Sequence, residues 1–191
     1  MTYAHARTLS ALGLLGCCAI LLVAFWYQFR LGESPCPLCL LQRAAFAAAG
    51  IGFALDLRFG ARPAHLGITI LSAVAGAFIS ARQVALHIVP GTGVYGSALF
   101  GVHFYTLALI AFVGLIVAAA VQLLLLDGTF RTAERTGREP VGAFGRACLL
   151  LFLGVVLANA LSTVAECGGG LCPDDPAGYE ALDTWLKRSR P

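Results

Sequence analysis

Long apolar runs, broken by short segments containing polar residues, glycine or proline, dominate this chain and predict helices rather than strands. Five of them, Leu9–Tyr27, Leu40–Leu57, Ala64–Ala81, Phe104–Leu126 and Ala147–Ala165, reach or approach the ~20 residues that a helix needs to cross ~30 Å of hydrocarbon. The second and third are short and rich in Gly and Ala, which suits close packing inside a bundle. The first follows Arg7 as a secretory signal would, but it is too long for one. It also ends in Phe25-Trp26-Tyr27-Gln28-Phe29 rather than in small cleavable residues, so it reads as a retained helix with interfacial aromatics.

Composition agrees with a membrane setting. Of 191 residues, 59% are hydrophobic and 12% charged, and mean hydropathy is +0.82, whereas soluble domains carry about twice that charge fraction. The expected fold is an all-α integral membrane protein. Residues 1–165 form its bundle, a four-helix core with a fifth transmembrane helix, and residues 166–191 form a short tail on the non-cytoplasmic side. Arg7, Arg58, Arg62, Arg131, Arg135, Arg138 and Arg146 fall before span one, between spans two and three, and between spans four and five. The positive-inside rule makes that side cytoplasmic. The opposite side then holds Arg30–Cys39, the loop from His87 to Gly101, and a tail made mostly acidic by Asp174, Asp175, Glu180 and Asp183. The closing Lys187-Arg188-Ser189-Arg190 runs against this trend, and short terminal charges weigh less than loops. The net charge of +3 reflects orientation in a membrane, with no sign of nucleic-acid binding. Pro176–Leu186 can form a short amphipathic surface helix through Tyr179, Leu182, Trp185 and Leu186, or remain an unstructured terminus.

Seven cysteines divide under this topology. Cys17, Cys18 and Cys148 lie inside spans, where a thiol is a small apolar packing residue. Cys36-Pro37-Leu38-Cys39 lies at the outer start of span two, and Cys167-Gly168-Gly169-Gly170-Leu171-Cys172 just beyond span five. Both pairs face the oxidising side, where disulfides persist. A C-x-x-C ring opens and closes readily, and at the rim of a span it can meet a lipid-soluble electron carrier. The second pair closes a very short loop, which as a staple contributes only about 2 kcal/mol. Its three glycines suit an exchangeable disulfide better. A four-cysteine zinc or iron–sulfur metal site, and a scaffold with inert disulfides, are the rival readings.

Pro35 and Pro37 keep the chain extended, so the helix is expected to begin at Leu38 or Cys39, with Cys39 beside the positive end of the helix dipole. Arg43 follows one turn deeper on the same face, placed to stabilise a Cys39 thiolate or to bind a ligand carbonyl oxygen that gains negative charge. As an alternative it snorkels to the interface. Gln83 and His87, at the outer end of span three, are candidates to hydrogen-bond a quinone-like ring, or simply a polar helix end. Tyr95, Phe100 and Tyr105 read as interfacial aromatics, while His5, His65 and His103 read as structural or surface residues.

The run Cys36-Pro37-Leu38-Cys39-Leu40-Leu41-Gln42-Arg43 resembles the signature of the disulfide bond formation protein B (DsbB) family: a C-x-x-C at the outer start of the second span, then an arginine four residues after the second cysteine. The resemblance is good over the first three spans and looser beyond. It implies a four-helix protein of the bacterial inner membrane, N-terminus cytoplasmic, that reoxidises a periplasmic thioredoxin-like dithiol oxidase (DsbA-like) and passes the electrons to ubiquinone or menaquinone. Carried onto this chain, it makes Cys39 the sulfur nearest the quinone, Cys36 its partner facing the second pair, and Arg43 a residue of the quinone pocket. In better-known members the second pair lies between spans three and four, but Ile88–Val102 here has no cysteine. Cys167 and Cys172 are the candidates to replace it. Vitamin K epoxide reductase-like proteins share the chemistry, but there the loop cysteines precede the membrane C-x-x-C.

Overall fold

The computed structural model describes residues 3–89, 91, 93, 96–136, 141–168, 170, 172 and 178–181. Its helices are α1 (Tyr3–Arg30), α2 (Pro37–Phe59), α3 (Pro63–His87), α4 (Phe104–Thr136) and α5 (Ala143–Cys167). All five are long and apolar enough to cross a membrane. Tyr95, Arg138, Asp174, Asp175, Asp183, Lys187–Arg190 and most of the 176–186 segment lie outside the described residues.

Local chemistry sets the helix ends. Pro37 and Pro63 open α2 and α3 at the first position, where their missing N–H costs nothing. Helix α2 therefore begins a residue or two before the position expected from sequence, with Cys36 in extended conformation as its N-cap (φ −69°, ψ 161°). At the other end of the bundle's sequence, α5 runs through Cys167 and stops at Gly168, which takes the left-handed conformation (φ 61°). Cys167 is thus the last helical residue and buried, whereas the sequence suggested a place in a glycine-rich tail. Helix α4 continues to Thr136, past its apolar stretch. Between α3 and α4 the chain forms a small hairpin, β1 (Ala98–Leu99) with β2 (Val102–His103), in place of a plain loop. Its turn residues Phe100 and Gly101 both have positive φ (53° and 79°), as a two-residue hairpin turn requires.

Helices α1–α4 form the bundle. Helix α2 packs between α1 and α3, α4 closes against α3, and α5 lies outside against α1 and α2. Two glycines permit the close approaches: a side chain on Gly76 would strike Phe112 of α4, and one on Gly50 would strike Phe152 of α5. Phe112 stacks on Phe46, ring centroids 3.8 Å apart, in the middle of the bundle. Exposed Phe78, Leu124 and Leu161 face outward, as lipid contact demands.

At the end away from the disulfides a buried polar cluster ties four helices together. Asp56 is fully buried and accepts from Ser10 Oγ (3.0 Å) and the Arg62 N–H (3.1 Å), and His65 Nδ1 lies 2.9 Å from it. Gln122 donates to Ser10 Oγ (2.9 Å) and to the Ala6 carbonyl (3.3 Å). His65 therefore has a partner, Asp56, that its place in the sequence does not reveal.

Candidate functional site

Cys36 and Cys39 form a disulfide at the start of α2, Cα atoms 4.9 Å apart. The helical turn produces this directly: Cys36 caps the helix, and its sulfur accepts the Cys39 N–H at 3.1 Å. An oriented amide therefore points at the sulfurs from the first turn.

Cys39 lies on the wall of a cavity of about 650 Å³ enclosed by α1–α4, and Cys36 is not among the lining residues. The volume falls within the ~300–1,000 Å³ typical of small-molecule sites. Aliphatic and aromatic side chains, Phe46 among them, form most of the wall, with a few polar groups that include Gln28, Gln42, Arg43 and Gln83. Arg43 is the charged one nearest in sequence. It is buried, donates from Nη1 to Gln28 Oε1 (2.6 Å) and from Nη2 to the Ala24 carbonyl (3.1 Å), and lies over the Phe25 ring (5.6 Å). Both its hydrogen-bond partners are neutral, and they hold the guanidinium at the cavity. Since a guanidinium has five N–H donors, it can still reach a ligand oxygen.

Gln83 lines the cavity but turns toward the disulfide: Nε2 lies 3.3 Å from Cys36 Sγ and 3.7 Å from Cys39 Sγ. Its Oε1 accepts from Gln42 Nε2 at 2.8 Å. His87 is not among the lining residues. It lies 3.2 Å from the Gly93 carbonyl and packs on Tyr105, which does line the cavity and also stacks on His103. The outer rim is held by Glu33, whose carboxylate accepts from both the backbone N–H and the hydroxyl of Ser97, joining the α1–α2 loop to the segment before β1.

The second disulfide, Cys167–Cys172, has Cα atoms 4.5 Å apart. It lies at the same end of the bundle, because Gln28 bridges the two regions. While accepting from Arg43, Gln28 donates to Ser162 Oγ of α5 (2.9 Å) and to the Tyr179 hydroxyl (3.3 Å). One turn beyond Ser162, Glu166 is 1% exposed, and neither carboxylate oxygen has a hydrogen-bond partner among the described residues. It interacts electrostatically with Arg43 across the α5 contact.

The structure thus gathers Cys39, Arg43 and Gln83 around one cavity, leaves Cys36 outside its lining but bonded to Cys39, sets His87 behind Tyr105, and joins the Cys167–Cys172 end through Gln28. Sequence reasoning missed Gln28, Gln42, Glu33 and Glu166. Gln42 and Gln28 carried a usable signal, since an amide inside or at the end of an apolar span needs a partner. Glu33 and Glu166 gave none, because each is placed by contacts between distant segments.

Residues 6–94, covering α1 to α3, match the family described as Disulfide bond formation protein DsbB. Relatives named "Disulfide bond formation protein B" include one from Xanthomonas axonopodis pv. citri, 39% identical over 84 residues (41% of this chain, 49% of the relative). Another, from Methylococcus capsulatus, is 40% identical over 97 residues (47% and 58%). A third, from Azoarcus sp., is 35% identical over 78 residues (39% and 47%). The chain spans about half the length of the curated relatives it matches. Helices α4 and α5, and with them Cys167–Cys172, lie outside the family match. No solved structure matches.

Proposed function

We propose, from the match of residues 6–94 to the DsbB family, that this chain is a membrane thiol–disulfide oxidoreductase: it reoxidises a periplasmic thioredoxin-like dithiol oxidase and passes the electrons to a membrane quinone. The observation that carries this reading is Cys39 of a C-x-x-C disulfide on the wall of a largely apolar cavity whose buried cation is Arg43. The cavity suits a quinone ring in size and apolar lining. Arg43 supplies N–H donors to an oxygen, with Gln83 and, through Tyr105, His87 at the same end. When bound, ubiquinone or menaquinone supplies the acceptor for two electrons and two protons that returns Cys36 and Cys39 to the disulfide.

The remaining steps belong to the chain's own sulfurs. A partner thiolate attacks the Cys167–Cys172 disulfide; a partner–enzyme S–S bond forms as the internal one breaks. The partner's second thiol displaces it, so the partner leaves oxidised and Cys167 and Cys172 stay as thiols. A thiolate of this pair then attacks Cys36 Sγ, and Cys39 leaves with the electron pair. The helix N-terminus favours negative charge on that leaving sulfur, and Arg43 lines the same cavity. The other outer thiol resolves the mixed disulfide, Cys167–Cys172 re-forms, and Cys36 and Cys39 are reduced beside the cavity. Both pairs face the periplasm in this reading, with the N-terminus in the cytoplasm of a bacterial inner membrane.

The test replaces Cys167 and Cys172 together by serine and follows oxidation of a reduced thioredoxin-like partner in the presence of quinone. Turnover should fall to the uncatalysed level, and full-rate turnover would remove the second pair from the relay. A Cys39→Ser variant should abolish quinone reduction. Stoichiometric zinc or iron in the purified protein would instead favour a metal site.

A further inference from the structure

The Gln42–Gln83 pair stands on α2 and α3 and lines the cavity beside the C-x-x-C sulfurs, and its atoms permit one arrangement. A disulfide sulfur offers only lone pairs, so the end of Gln83 facing Cys36 and Cys39 must be its NH2. Oε1 then points away and needs a donor, which forces Gln42 to present its own NH2. Gln83 is 2% exposed and Gln42 6%, so water does not compete for these groups.

We infer that Gln83 is a sulfur-directed catalytic residue that stabilises the reduced form of Cys36 and Cys39, and that Gln42 is the positioning residue that fixes its amide. This rests on the reading of Cys36–Cys39 as the redox pair and adds how its potential is set. A thiolate accepts a hydrogen bond far more strongly than a disulfide sulfur, because charge-assisted bonds are about twice as strong as neutral ones. The same N–H groups therefore favour the dithiol over the disulfide. The inner pair becomes the more oxidising of the two, and electrons flow to it from Cys167 and Cys172. Gln83 contributes to quinone oxidation from the sulfur side, distinct from Arg43, which serves the oxygen side.

The test measures the equilibrium of Cys36–Cys39 with dithiothreitol or glutathione buffers in full-length, quinone-free protein carrying Cys167→Ser and Cys172→Ser, so that one pair titrates. Thiols are counted by alkylation and mass. Gln83→Leu should shift the equilibrium at least tenfold toward the disulfide, which is about 30 mV for a two-electron couple. Gln83→Glu, of almost identical shape but facing the sulfurs with acceptors, should shift it further in the same direction. Gln42→Glu can only accept, so it turns the Gln83 amide around and should reproduce most of the Gln83→Leu effect. In a Gln83→Leu background it should add nothing. A Gln83→Leu equilibrium within twofold of the parent overturns the inference, as does a Gln42 effect that persists without Gln83. A pair that cannot be reduced at all overturns the redox reading as well, which separates the two failures.

Discussion

Replacing Gln28 by leucine should release the outer end of α5 without touching either cysteine pair. Gln28 holds the outer end of α5 and the segment that follows it through two hydrogen bonds, to Ser162 Oγ at 2.9 Å and to the Tyr179 hydroxyl at 3.3 Å. Side-chain hydrogen bonds in membrane bundles average about 0.6 kcal/mol and reach about 1.7, so losing two costs about 1.2 to 3.4 kcal/mol. Its third bond, to Arg43, does not hold α5 and is left out of the sum. At 1.4 kcal/mol per tenfold, the population with α5 undocked rises roughly sevenfold to a few hundredfold. Cys167 reports this opening because it is 5% exposed when docked. In a Cys172→Ser background its single thiol reacts with a membrane-impermeant maleimide only through the open state, so the labelling rate follows the open population. Adding Gln28→Leu should accelerate labelling by at least about fivefold. Thr163→Val should not, because among the described residues Thr163 bonds within α5, to the Asn159 carbonyl at 2.9 Å. Labelling within twofold of the parent would refute the argument that Gln28 holds the second pair to the cavity end.

Arg43→Met removes the cavity's buried cation, and at about 1.5–3 kcal/mol for a hydrogen bond from a charged donor it should weaken binding of a quinone analogue by roughly tenfold or more in a direct titration. His87→Ala should change the same affinity by no more than about threefold, since His87 meets the cavity through Tyr105. Asp56→Leu strands Ser10, His65 and the Arg62 N–H at the far end of the bundle; it should lower thermal stability by about 3 kcal/mol while leaving the Cys36–Cys39 equilibrium unchanged. Gly50→Leu drives a side chain into the Phe152 ring and should undock α5, read as faster Cys167 labelling.

Much of this molecule is legible in its sequence because a membrane allows few alternatives. Apolar runs of the right length must be helices, since lipid leaves no other partner for the backbone. The C-x-x-C spacing with Arg43 one turn later also projects directly, because both depend on a single helix. What depends on contact between helices does not project. Gln83 had the right neighbourhood, but its turn toward the sulfurs depends on Gln42 of another helix. Asp56 and His65 find each other only because Gly60 ends α2 and Pro63 starts α3. Cys167 looked like part of a loose glycine tail, yet Gly168 ends the helix one residue later and leaves the thiol buried.

The central claim is a two-disulfide relay ending at a quinone beside Cys39, and thiol trapping with and without quinone tests it most directly. Purified protein is mixed with a reduced thioredoxin-like dithiol partner, quenched with an alkylating reagent, and its thiols counted. With quinone present, the partner should become oxidised over many turnovers while Cys36, Cys39, Cys167 and Cys172 remain largely disulfide-bonded. Without quinone, all four should accumulate as thiols and oxidation should stop after about two partner molecules per chain, one for each disulfide. Identical thiol counts and partner oxidation in both conditions would contradict the relay.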